Sequence, residues 1–346
     1  MKTKTKIAVV GCGFFAQNHL NAWTDLATEG AELVAVCDAD AGKSEAAAIK
    51  FGAKAFTNLE HMLDGAKPDL VDVITRMDTH HDICKILAER KIATVVQKPL
   101  APTWTDCVEM ANTAKKHNSF LAIHENFRFQ TPMIKVKSLL NEGVIGDVNW
   151  ARLAFRTGFD VFGNQPYLYD EERLVILDVG IHVLDMARVL LGEVARISCE
   201  TQKRNPRVKA EDTATMLLRH VSGTVSVVEC TYMAKRHPDL FPHTRLEIEG
   251  SNGTLILNSD DEIILSDGTT SRSIAIENSL STWMEKPWHV VQRSVYETNR
   301  QLMLAACSGQ KAPTDIADNL KTFAVVEAAY AAAKSGQAEV PAEWQG

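Results

Sequence analysis

The hexapeptide Gly11-Cys12-Gly13-Phe14-Phe15-Ala16 fits the pattern G-x-G-x-x-G/A and follows the apolar run Ile7-Ala8-Val9-Val10. In that place the first glycine makes a tight turn. The second lets the backbone approach a pyrophosphate, and Ala16 lets the next helix pack closely on its strand. Free N–H groups at the helix start, with the helix dipole, hold negative phosphates. Asp38 stands 22 positions after Ala16, at the end of the expected second strand. A carboxylate there accepts hydrogen bonds from the adenosine ribose hydroxyls and repels a 2′-phosphate. Asp40 adds to that repulsion and no arginine follows closely, so NAD is the expected cofactor over NADP; Lys43 is the one feature against it. The competing reading is a glycine turn of another α/β protein, with Asp38 a plain turn residue.

A second group of residues suits alcohol oxidation. That reaction needs a hydride acceptor beside the carbinol carbon, removal of the hydroxyl proton and stabilisation of the developing alkoxide. Lys98 follows the expected fifth strand, on the edge where open α/β sheets bind ligands. An ammonium there holds the substrate oxygen and stabilises its charge. With a reference pKa of about 10.4, it is a poor base at neutral pH. His182, as an imidazole with a reference value of about 6.5, is the better proton acceptor. Asp178 precedes His182 by four positions, and on a helix the two share a face. The bland readings are a surface lysine at 98 and a satisfied partial-core histidine at 182.

These groups need elements to position them. Strands are expected at 7–10, 32–37, 53–57, 70–75, 94–96 and 120–123. Helices are expected between them at 15–28, 41–51, 59–64 (capped by Asn58), 81–90 and 105–117. Strands apolar on both faces and joined by helices make a parallel sheet covered on both sides, wound right-handed into a doubly wound α/β fold. After Glu125 the pattern changes. A helix at 132–143 starts on proline and ends on glycine. Longer strands follow at 149–156, 195–204, 213–220, 224–233, 246–249 and 254–257, with Ser222-Gly223 and Asn252-Gly253 as hairpin turns. This predicts an α+β second domain with a large, mainly antiparallel sheet. Helices resume at 290–307 and 315–334. The expected domains are 1–125 for the dinucleotide and 126–346 for the substrate and for oligomerisation.

Bulk properties agree. A chain of 346 residues exceeds what one core organises. Its net charge of −7 leaves no basic stripe for nucleic acid. Seven cysteines at wide spacings, with no C-x-x-C, exclude a disulfide framework or zinc ribbon as the expectation. The N-terminal lysines precede an apolar run too short for a secretory signal, and no stretch has transmembrane length. The expectation is therefore a cytoplasmic protein without membrane partners. His237, His243 and His289 lack metal-site spacing and read as loop histidines, so no metal is expected. Trp283 and Trp288 flank a loop that either covers a sugar or simply packs.

Essentially the whole chain resembles the Gfo/Idh/MocA oxidoreductases. Thr75-Arg76-Met77-Asp78-Thr79-His80 is similar to the family's T-P-x-x-x-H turn, and Gln97-Lys98-Pro99-Leu100 to its E-K-P-L. Asp178-Val179-Gly180-Ile181-His182, with Asp185 following, matches D-x-G-x-H. His124-Glu125-Asn126-Phe127-Arg128-Phe129 resembles the stretch between the family's domains. Two departures stand out: Gln97 replaces glutamate, and Glu171-Glu172-Arg173-Leu174 replaces a glycine-rich approach.

The resemblance implies a Rossmann domain and an NAD-dependent dehydrogenase of a sugar, polyol or sugar acid, a pentose such as D-apiose among the candidates. It sets Gly11, Gly13, Phe14, Phe15, Asp38, Thr75, His80, Gln97, Lys98 and Asn126 against the cofactor, with Gln97 at the nicotinamide ribose. Lys98, Asp178 and His182 are the implied catalytic residues, Asp178 orienting the substrate or the lysine. Asp185 is expected to tie down its helix, and His81 to point away. Arg156 is either a substrate ligand or an exposed sheet arginine. The family's open sheets pair between subunits, which implies a homodimer or homotetramer through the strands from 195 to 257. Two other functions compete: an NAD-assisted glycosidase and a non-catalytic NAD-sensing protein.

Overall fold

The computed structural model describes residues 4–258, 262–277 and 279–346. The chain forms two compact units. The first comprises Met1–Asn126, Val295–Leu320 and Trp344–Gly346; the second comprises Phe127–Ser294 and Lys321–Glu343.

In the first unit β1 (Thr5–Val10), α1 (Ala16–Asp25), β2 (Ala31–Cys37), α2 (Ala41–Phe51), β3 (Lys54–Phe56), α3 (Leu59–Ala66) and β4 (Leu70–Val73) alternate. They continue with α4 (His80–Glu89), β5 (Ala93–Gln97), α5 (Trp104–His117) and β6 (Leu121–His124). The sheet order β3-β2-β1-β4-β5-β6 is parallel throughout and reverses direction between β1 and β4. In this doubly wound order ligands bind at the carboxyl ends of the strands, at the reversal. β4 and β6 are buried along their whole length, as a sheet covered on both faces requires. Ile7, Val9, Leu20, Trp23, Leu70 and Val95 lie in the core beneath.

The second unit opens with α6 (Thr131–Asn141), β7 (Val148–Arg156) and α7 (Ile181–Leu191). Then come β8 (Val194–Gln202), β9 (Thr213–His220), β10 (Val225–Thr231), β11 (Arg245–Gly250), β12 (Thr254–Leu257), β13 (Glu262–Ser266) and β14 (Ser271–Ala275). The sheet runs β14-β13-β12-β11-β7-β10-β9-β8, and its single parallel pair is β7 with β10. Burial alternates along β9 and β10, so one face is covered; α7 packs against β7 and β10. Two long helices, α8 (His289–Ser308) and α9 (Ile316–Ser335), close the chain.

Three differences from expectation have local causes. α1 ends at Asp25, and a tighter 3₁₀ turn, Leu26–Glu29, completes the expected helix before Gly30 at φ +105°. β13 and β14 lie beyond the expected strands; β14, Ser271-Arg272-Ser273-Ile274-Ala275, escapes prediction because it is a mostly exposed edge strand with no apolar alternation. His289 is not a loop residue: it begins α8 and is buried.

Candidate active site

The glycine loop follows β1. Gly11 has φ +95°, and a Cβ there would lie 2.4 Å from the carbonyl oxygen of Ile74, so only glycine lets the loop pass the end of β4. Around Gly13 a Cβ would meet nothing within 4 Å. The protein's own packing does not require glycine at 13; in a glycine loop of this kind a missing side chain is what lets a phosphate approach the backbone. Phe14 is half exposed, and Phe15 sets its ring edge against His19 at 5.6 Å.

Asp38 is fixed from two sides. Cys12 N–H donates to its Oδ2 at 2.8 Å, and Asp40 N–H to its Oδ1 at 2.9 Å. A carboxylate has about four acceptor positions, so it retains capacity for ribose hydroxyls. Asp40 is the N-cap of α2, accepting from Gly42 and Lys43 N–H; its carboxylate is occupied by the helix start. Burial, and next the Asp38 carboxylate, pushes the Cys12 thiol up to about 12, so this cysteine is unreactive at the loop.

At the end of β4, Thr79 Oγ1 donates to Thr75 Oγ1 at 2.7 Å. His80 is buried, with Nδ1 3.1 Å from the Leu100 carbonyl oxygen and Nε2 3.2 Å from that of Thr75. Burial pushes its pKa down against these carbonyls. The ring thus braces the turn after β4 against the turn holding Lys98 and Pro99. Asn126, just beyond β6, is buried too. His81 points away, towards Asp82 and Glu109.

Gln97 ends β5. Its Oε1 accepts the backbone N–H of Lys98 at 2.8 Å, and its Nε2 lies 3.1 Å from Nε2 of His19. His19 Nδ1 lies 2.8 Å from Asp72 Oδ2, and Trp23 Nε1–H donates to the same oxygen at 2.7 Å. His19 and Asp72 are fully buried. Burial alone would raise the Asp72 carboxyl; the His19 ring, then His124 and Trp23, outweigh it and hold it below the usual carboxylate range. His124 rests its ring 4.1 Å from that of His19 and pairs Nε2 with Asn299 Oδ1 at 2.9 Å. Burial, and next His19, pushes it down to about 3. His19 and Asp72 lie outside the motifs of the sequence. The signals were an acid inside the apolar strand Leu70-Val71-Asp72-Val73, and a histidine on the buried face of α1 beside Ala16, Leu20 and Trp23.

In the second unit one wide π-helical turn, Ile176–Gly180, runs straight into α7. Such turns recur at functional sites. This turn carries Asp178, and the first turn of α7 carries His182. The imidazole of His182 stacks on Phe127, ring centroids 3.9 Å apart at 4°. Asp178 Oδ2 accepts from the phenol of Tyr232 at 2.5 Å; burial, and next this carboxylate, holds the phenol well above its usual range. Tyr232 lay outside the motifs and had no sequence signal. Asp185 is fully buried beneath this segment. Arg128 grips both its oxygens, and Thr322 Oγ1 donates at 2.7 Å. Arg156, partly exposed, donates to Glu229 at 3.3 Å. Trp288 packs edge-on against Phe241 and Phe159.

Residues 5–125 match the model of the oxidoreductase family with the NAD-binding Rossmann fold, and residues 133–256 match the GFO/IDH/MocA C-terminal domain. A D-apiose dehydrogenase of Rhizobium rhizogenes is 39% identical over 337 residues, 97% of each chain. One from Paraburkholderia graminis is 39% identical over 333 residues, 96% of this chain and 88% of its own. A solved oxidoreductase of Agrobacterium radiobacter, in complex with NAD+, L-tartaric acid and magnesium, superposes with a TM-score of 0.95 at 38% identity, covering 98% of both chains. Among the described residues no helix is long and apolar enough to cross a membrane, and no group of three or more His, Cys, Asp or Glu side chains is placed to hold a metal. The chain is an NAD-dependent oxidoreductase and belongs to the Gfo/Idh/MocA family.

Proposed function

We propose that this enzyme is a dehydrogenase of a pentose-like sugar, D-apiose first among the candidates. The observation that carries this reading is the 39% identity to a D-apiose dehydrogenase over 97% of both chains. Bound NAD supplies the hydride acceptor. In this reading the first unit binds the cofactor through Gly11, Gly13, Phe14, Phe15, Asp38, Thr75, His80, Gln97 and Asn126, and the second binds the sugar. The Lys98 ammonium holds the reacting hydroxyl oxygen and stabilises the charge that develops on it. His182 takes the hydroxyl proton, its ring fixed by the stack on Phe127. Asp178, fixed by Tyr232, orients the sugar. Arg156 is the outlying sugar ligand.

The preference for NAD over NADP rests on Asp38. The enzyme is further proposed to work in the cytoplasm, a setting that suits seven cysteines outside any disulfide. It is proposed to assemble as a homodimer or homotetramer through the eight-stranded sheet, as the family resemblance suggests. The test of substrate class is a panel of D-apiose, other pentoses, inositols and aldonates, scored by NADH formation. D-Apiose should give the highest kcat/KM. An inositol or aldonate turned over faster, with D-apiose inert, overturns the substrate assignment.

A further inference from the structure

We propose that His19 is a positioning residue for Lys98, acting through Gln97; the inference rests on the role given to Lys98 above. The hydrogen-bond roles along this buried chain close in one way. Trp23 Nε1–H, which only donates, is bound to Asp72 Oδ2 at 2.7 Å, so that oxygen accepts, and the His19 nitrogen 2.8 Å from it, Nδ1, carries the ring proton. The backbone N–H of Lys98 only donates, so the Gln97 atom 2.8 Å away is the amide oxygen. The amide nitrogen therefore faces His19 Nε2 at 3.1 Å, and that contact needs a lone pair on the ring. Asp72 fixes the tautomer of His19, the tautomer fixes the Gln97 amide, and the amide holds the backbone at Lys98. A carboxylate partner that fixes the tautomer of a histidine acting on a site is a general device.

The same geometry accounts for Gln97. A glutamate here would offer Nε2 an acceptor in place of a donor, which suits a ring protonated on both nitrogens and not the neutral tautomer. The amide at 97 thus fits a neutral His19.

Two substitutions separate positioning from simple core filling. His19→Asn keeps a donor near the Nδ1 place and so keeps Asp72 partnered, but it cannot reach Gln97. His19→Gln reaches the Nε2 place with a carbonyl that can accept from Gln97, and gives up Asp72. At saturating NAD and sugar, His19→Asn should lower kcat by about tenfold or more, the cost of misplacing a catalytic group. His19→Gln should stay at least about fivefold above it, even if its Tm is the lower of the two. Equal kcat values, or the reverse order, overturn the proposal.

Lys98→Met is run alongside. If it keeps wild-type turnover, the role of Lys98 falls and the relay with it. If it loses turnover while the two His19 variants match, the relay alone falls. Should either His19 variant fail to fold, 15N NMR of the wild-type protein decides the matter: a protonated Nδ1 with bare Nε2 at His19 supports the relay, and the opposite tautomer overturns it.

Discussion

Tyr232 and Asp178 form one hydrogen-bonded unit: the phenol donates to Oδ2 at 2.5 Å from a side chain that is almost wholly buried. The phenol stays protonated because burial and the carboxylate both oppose its ionisation. Tyr232→Phe removes the donor and keeps the ring. The loss of a hydrogen bond to a charged group, about 1.5–3 kcal/mol, should appear as a roughly tenfold or greater fall in kcat/KM for the sugar. NAD affinity should not change. Steady-state kinetics with NAD titration checks this; an unchanged kcat/KM shows that Tyr232 only fills the core.

Gly11 and Gly13 should fail in different ways. Gly11→Ala forces a Cβ into the Ile74 carbonyl at a left-handed φ. It should lower stability by several kcal/mol, as strain at such a position does. Gly13→Ala meets no protein atom and should unfold like the wild type while binding NAD at least about tenfold more weakly, because the methyl occupies room a phosphate needs. Denaturant unfolding and NAD titration together separate the two. Wild-type NAD affinity in Gly13→Ala would show that the loop does not hold the cofactor.

The proposed preference for NAD rests on Asp38. Asp38→Ser with Ala39→Arg removes the charge that repels a 2′-phosphate and supplies a planar cation for it. Preference should move towards NADP. NAD binding should also weaken beyond the lost ribose contact, since Asp38 ties Cys12 N–H of the glycine loop. The ratio of kcat/KM for the two cofactors, in wild type and variant, checks this. A wild-type enzyme preferring NADP by about tenfold, some 1.4 kcal/mol, contradicts the role of Asp38.

What was legible in the chain follows from periodicity and from motifs tied to backbone geometry. Most of the parallel strands of the first sheet announce themselves as apolar runs, the short exposed β3 excepted, and Gly11 to Ala16 marks the loop because the turn at Gly11 demands glycine. Residues that depend on long-range pairing were not legible. His19 meets Asp72 and Gln97 across three elements, and Tyr232 reaches Asp178 from β10's far end. No spacing in the sequence encodes such contacts. Asp185 is an exception: it is expected to tie down its helix, and Arg128 and Thr322 are the partners that hold it. The edge strand β14 was missed for want of any buried face.

The pH dependence of kcat in two variants decides the proposed division of labour between Lys98 and His182. His182→Asn removes the proposed proton acceptor. It should lower kcat about a hundredfold to ten-thousandfold and abolish the acidic limb of the profile, where a protonated imidazole cannot accept. Lys98→Met should lower kcat about a hundredfold to a thousandfold, as the loss of one oxyanion donor does, and keep that limb. If the acidic limb persists in His182→Asn and vanishes in Lys98→Met, the roles are exchanged and the account is contradicted.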